Sequence, residues 1–209
     1  MIIIDFLDGV YKKIKKLFKA KKHKDFSNLE HFPQVGDCIL IEGEGLVADG
    51  IEWMEGGEVS HTALYVGGGE AKIIEALSNG VKIQKLDKYF KDDYRIVIRR
   101  IPGLEVAEAE EMKAYAYSQV DKPYDFNQFV SLGFYFILNK LGIDDLLRNW
   151  FHYEVDNNVD DNENAIICSE LYARAAKEAG YNLCGKKNMS LITPQDLLKS
   201  TRMETVIEV

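Results

Sequence analysis

Cys168, His61 and Glu75 have the types and settings from which thiol chemistry is made. Cys168 follows Ala165-Ile166-Ile167 and opens Ser169-Glu170-Leu171-Tyr172-Ala173-Arg174-Ala175, a segment that reads as a helix. A cysteine at a helix start faces unsatisfied amide N–H groups and the positive end of the dipole, and both favour its thiolate. Those amides could also receive an oxyanion. The other reading of the position is a small buried hydrophobe, the role of most free cysteines. His61 lies in Glu58-Val59-Ser60-His61-Thr62-Ala63-Leu64-Tyr65-Val66, where strand alternation puts His61, Ala63 and Tyr65 on one face. Glu75, in Ile73-Ile74-Glu75-Ala76-Leu77, is on the arm that returns after Gly67-Gly68-Gly69. A carboxylate beside an imidazole orients the ring and stabilises its protonated form, the third part of a thiol triad. Register decides whether the two meet. An odd loop puts them directly opposite on one face, and an even loop displaces them by one residue.

These residues need a scaffold, and the chain supplies strand-like segments at Asp37–Ile41, Val59–Val66, Ala71–Leu77, Val81–Gln84, Tyr94–Ile101 and Glu204–Val209. Gly67-Gly68-Gly69 and Asn79-Gly80 are tight-turn signals, so sequential strands join as an antiparallel sheet. Helices are predicted over Glu105–Val120, acidic in its first turns, and over Cys168–Ala179, stopped by Gly180. Thr193-Pro194 supplies an N-cap and first-turn proline for a short helix at Gln195–Lys199. The aromatic- and leucine-rich stretch 124–151 reads as helical, and 154–164 as an acidic loop. That loop resembles a calcium loop at Asp156, Asn158 and Asp160. It has Asp161 where glycine is needed and Ile167 where a bidentate glutamate belongs. The fold class is α+β.

Residues 1–28 form a separate unit in this reading, with residues 29–209 as the main domain. In 2–22, Ile3, Leu7, Val10, Ile14, Leu17 and Phe18 make an apolar stripe. Lys12, Lys13, Lys15, Lys16, Lys19, Lys21 and Lys22 lie opposite. Such a basic amphipathic helix can lie on an anionic membrane surface or pack on its own domain. A net charge of -8 argues against nucleic acid as partner. Cys38, Cys168 and Cys184 show no CxxC spacing, and His23, His31, His61 and His152 no zinc pattern, so neither metal nor cofactor is expected. Cys38 alternates into the sheet core and Cys184 sits in a loop. The apolar N-terminus does not have the order of a secretory signal. The longest apolar run, Phe129 to Leu138, is about half the ~20 residues of a spanning helix. A cytoplasmic or membrane-peripheral location is the default expectation.

The order of Ser60-His61-Thr62-Ala63-Leu64-Tyr65-Val66-Gly67, Ile74-Glu75-Ala76, Pro123-Tyr124-Asp125 and Cys168-Ser169-Glu170-Leu171 resembles the YaeF/YiiX-like family. That family belongs to the circularly permuted, papain-like branch of the NlpC superfamily, in which the cysteine follows the histidine. Val35-Gly36-Asp37 and Thr193-Pro194-Gln195-Asp196-Leu197-Leu198 are further matching landmarks, and the likeness runs from about Pro33 to the C-terminus. The resemblance implies a permuted papain-like fold with a barrel-like antiparallel sheet. It further implies Cys168 as nucleophile, His61 as general base and acid, Glu75 as orienting residue and Tyr124 as a donor near the cysteine. Tyr172, one helical turn after Cys168, is the alternative donor. Ser169, Asp125, Tyr172 and Phe126 flank these residues as candidate substrate contacts. The expected activity is cleavage of a peptide or peptidoglycan-derived amide, on a small peptide or amino-acid amide. An acyl substrate is the alternative, as in the related lecithin–retinol acyltransferase-like proteins, with the aromatics between Tyr124 and Cys168 lining an acyl pocket. A non-catalytic binder is a third.

Overall fold

The stretch from Cys38 to Arg100 is rich in β-branched and aliphatic residues punctuated by glycine, and it folds as a ladder of short strands. The computed structural model describes residues 33–42, 58–90, 94–125, 166–185, 189 and 192–209. The strands are β1 (Cys38–Glu42), β2 (His61–Gly67), β3 (Lys72–Leu77), β4 (Gly80–Lys85), β5 (Arg95–Arg100) and β6 (Glu204–Glu208). They pair antiparallel in the order β4-β3-β2-β1-β5-β6. The helices are α1 (Val106–Ser118), α2 (Cys168–Glu178) and α3 (Pro194–Lys199), and a 3₁₀ turn (Leu86–Tyr89) follows β4. Within the described residues, the expected strands and helices lie where the sequence puts them to within two residues at most ends. The 3₁₀ turn is new.

The barrel-like closure is not found. β4 and β6 are the outer strands, and no ladder joins them among the described residues. The outer edge of β4 is taken instead by the segment after α1. The Val81 N–H donates to the Lys122 carbonyl at 2.9 Å, and the Asp121 N–H donates to the Val81 carbonyl at 3.0 Å. Covering an edge with a loop satisfies backbone groups that closure would otherwise pair. Gly80 permits the approach, with φ of +99° and no Cβ where one would lie 2.6 Å from the Lys122 oxygen.

Both faces of the sheet are covered, which is why β1 reads Cys38-Ile39-Leu40-Ile41 without polar alternation. On one face, Cys38, Leu40, Leu64, Val66, Ile74 and Ala76 meet the helices. On the other, Ile39, Ile41, Ala63, Tyr65, Ile73 and Ile96 meet Leu86 and Tyr89 of the 3₁₀ turn. α2 packs on α1 and β2. Its Ala173, Ala175 and Ala176 are buried, and such small side chains let the helix come close. It ends as predicted at Gly180 (φ +86°): the Tyr181 N–H reaches the Ala176 carbonyl at 2.8 Å and the Gly180 N–H the Lys177 carbonyl at 2.9 Å. α3 opens on a reciprocal cap. Thr193 Oγ1 accepts from the Asp196 N–H at 3.1 Å, and Asp196 Oδ2 accepts from the Thr193 N–H at 2.9 Å.

The N-terminal stretch 2–22, most of the aromatic segment 124–151, the loop 154–164 and Phe126 lie outside the described residues. No helix among the described residues is long and apolar enough to cross a membrane.

Candidate active site

Cys168 is the first residue of α2, buried, with Ile167 as N-cap. Three contacts fix this helix start. The Glu170 carboxylate returns to the Ile167 N–H at 3.4 Å and pairs with Arg174 Nε at 2.8 Å. Ser169 Oγ donates to the Ile192 carbonyl at 2.7 Å. Ile166 bridges Tyr124, its N–H donating to the Pro123 carbonyl at 3.2 Å. The segment that carries Tyr124 is thereby tied to the chain two residues before the thiol.

His61 opens β2 opposite Ile41, and at the strand end its imidazole keeps 18% exposure. Its Nε2 lies 2.6 Å from Glu75 Oε2, and Cys168 is near enough to interact with the ring electrostatically. Glu75 reaches His61 through an irregularity in the hairpin. Gly67 pairs with Lys72, but Tyr65 pairs with Ile73 and Leu64 with Ile74, so the register shifts by one between Gly67 and Tyr65. Without that bulge, Glu75 would fall on the opposite face from His61, because side chains alternate with period two. With it, Glu75 comes opposite Ala63, diagonal to His61 and on the same face. The directly opposite pairing expected of an odd loop is thus replaced by a diagonal one.

The Glu75 side chain has 0% exposure, and three donors converge on it. His61 Nε2 and Tyr89 Oη (2.5 Å) share Oε2, and Lys88 Nζ takes Oε1. Burial alone would raise the carboxyl. The hydrogen bond and charge of His61, with Lys88 and Tyr89, outweigh it and lower Glu75 from 4.5 to about 2. Burial likewise lowers His61, but its interactions with Cys168 and Glu75 raise it from 6.5 to about 10. An ionised Glu75 can only accept, so His61 Nε2 is the donor and Nδ1 is the nitrogen left for the thiol.

Tyr124 is partly buried, and its phenol is pushed up by burial, then by the charges of Cys168 and Asp125. It is therefore a protonated donor in the neighbourhood of the thiol. Asp125 sits beside it, its N–H donating to the Ile166 carbonyl at 3.4 Å. The structure does not bring Tyr172 to the thiol. Its ring is fully enclosed and its hydroxyl donates to the Gly36 carbonyl at 2.9 Å, because one helical turn plus a phenol's length carries it across to the β1 side. The Ser169 hydroxyl is likewise engaged with Ile192 rather than with a substrate position. Phe126 is outside the described residues. Cys38 is in the core, where burial pushes its thiol up, and Cys184 is half-buried.

Lys88 and Tyr89 are functional neighbours that the sequence reading passed over. The signal that could have found them is the need of a buried carboxylate for more donors than one imidazole supplies.

A family model described as a permuted papain-like amidase enzyme of the YaeF/YiiX type matches residues 33–207. The probable lipoprotein peptidase YaeF of Escherichia coli strain K12 is 28% identical over 95 residues, 46% of this chain and 34% of that protein. The match thus spans about a third of the length of this curated relative. A crystal structure of the metalloprotein YiiX from Escherichia coli O157:H7 superposes with a TM-score of 0.61 at 18% identity, over 85% of this chain and 98% of the other. That likeness is one of fold. Among the described residues here, no group of three or more His, Cys, Asp and Glu side chains could hold a metal ion. With the family model spanning most of the sequence, the chain belongs to the YaeF/YiiX family of permuted papain-like amidases, which supports a cysteine hydrolase in general.

Proposed function

We propose that this protein is a cysteine amidase whose nucleophile, base and orienting residue are Cys168, His61 and Glu75. The observation that carries this reading is the imidazole of His61, hydrogen-bonded at 2.6 Å to the buried Glu75 carboxylate and in electrostatic contact with Cys168. Glu75 fixes the tautomer with a proton on Nε2, so Nδ1 takes the thiol proton and the pair rests as thiolate and imidazolium. The thiolate attacks an amide carbonyl. The first N–H groups of α2 and the Tyr124 hydroxyl receive the oxyanion. His61 then gives its proton to the departing amine, leaving a thioester on Cys168. Water, deprotonated by His61, releases the acid and restores the thiol.

Amide rather than ester is favoured by the family description and by the peptidase name of the relative. The test is hydrolysis of a panel of aminoacyl and dipeptidyl amides, with matched esters, by the full chain and by Cys168→Ala. Amine release that vanishes in Cys168→Ala is expected. Turnover that survives this substitution, or is confined to esters of long acyl chains, overturns the proposal.

A further inference from the structure

Glu75 is enclosed by the fold, yet in the proposed reaction the charge of its partner His61 comes and goes. A buried carboxylate that loses its only counter-ion suffers the full cost of desolvation. Lys88 removes that difficulty. It leaves the 3₁₀ turn with its ammonium on Oε1, the oxygen that His61 does not use, and its side chain keeps 31% exposure. The same ammonium lies 4.7 Å from the centre of the Tyr89 ring, whose hydroxyl binds Oε2. The 3₁₀ turn thus supplies both a cation and a hydrogen bond to the one carboxylate.

We propose that Lys88 is a positioning residue of this site, a permanent counter-ion that keeps Glu75 paired and restrains its hold on the His61 proton. The inference rests on the triad reading above. Cysteine, histidine, glutamate and lysine then form a line of alternating charge that sums to zero in the resting ion pair. Removing the lysine leaves His61 as the carboxylate's one charged partner in this cluster, so the imidazole holds its proton more strongly and surrenders it to a leaving group less readily. Among the described residues, the other charged or titratable groups facing this cluster are few. Lys82 stands across from Glu75 on β4, with its ammonium on Asp121 at 2.7 Å. Tyr94 stacks edge-on against Tyr89, and Cys168 and Tyr124 lie beyond His61.

Alkylation of Cys168 by iodoacetamide, followed by mass spectrometry of its peptide from acid to alkaline pH, reads the ion pair directly. The wild type is expected to show two steps, one as the ion pair forms and one as the imidazolium loses its proton. In Lys88→Met the second step should move up by about one pH unit, and Lys88→Arg should restore it. Lys88→Gln keeps a donor for Oε1 without charge and should behave as Met does. Folding of each variant is checked by circular dichroism. Wild-type steps in a folded Met or Gln variant overturn the counter-ion role while the triad stands. If the wild type instead matches His61→Ala, with a single step of an ordinary thiol, the triad reading fails and the role of Lys88 fails with it.

Discussion

Glu75 is the residue on which the proposed chemistry turns, because its pairing with His61 helps to pull its own carboxyl down and the imidazole up. His61 is raised, so its contribution to stability is complete below 6.5 and is lost as pH climbs through about 10. Glu75 is depressed, so its contribution is complete above 4.5 and is lost as pH falls through about 2. Both are complete only between those ordinary values. In Glu75→Gln the melting temperature should fall most in that window and approach the wild type toward either extreme, as thermal melts across pH would show. A gap independent of pH would contradict the pairing. The same substitution should lower amide turnover by about two to four orders of magnitude, the cost of losing the tautomer and the imidazolium partner together. The proposed site residues Cys168, His61 and Glu75 stand out as candidates in the sequence, since a helix start and a strand pair are visible there. Lys88 and Tyr89 do not, because a four-residue 3₁₀ turn carries no periodic signal and its contact with Glu75 exists only once β3 and β4 have paired.

Among the elements, the β2–β3 hairpin and the β4 edge do the positioning. The glycines advertised the hairpin, but the bulge that puts Glu75 on the face of His61 was hidden. It depends on the backbone of the turn, where Gly67, Gly68 and Ala71 all take positive φ. The β4 edge has a similar character. Lys122 binds Val81 through its carbonyl, and the next residues, Pro123 and Tyr124, lead to the bridge with Ile166, two residues before Cys168. Gly80→Ala should therefore do more than strain a turn. A Cβ would meet the Lys122 oxygen at 2.6 Å at a φ of +99°, destabilising the fold by about 1–3 kcal/mol in urea titration. It should also reduce turnover, because the segment that carries Tyr124 must give way. A variant as stable and active as the wild type would show that this edge does not position the site. Sequence alone gave Asn79-Gly80 as a turn, and could not give the loop that closes over it.

At the scale of the whole molecule, the strands, the helices and the permuted order were readable because local patterns carry them: alternation, caps at Thr193 and Gly180, and a histidine that precedes the cysteine. The open sheet was not readable, since closure depends on whether β4 and β6 find each other. The loop 121–123 takes the β4 edge first. The placement of Tyr172 has a related cause: it shares a helix face with Cys168, but its hydroxyl ties α2 to Gly36 and so to the start of β1. The fold thus draws its proposed nucleophile from a helix near the C-terminal end of the sequence and its proposed base from a strand near the beginning, and only tertiary packing joins them. The measurement that probes this union most directly is mass spectrometry of the full chain quenched during turnover of an activated aminoacyl anilide. The expected result is an acyl adduct on Cys168 in the wild type, absent in Cys168→Ala and in His61→Ala. An adduct on another residue, or turnover undiminished in either variant, would contradict a thiol site assembled from Cys168 and His61.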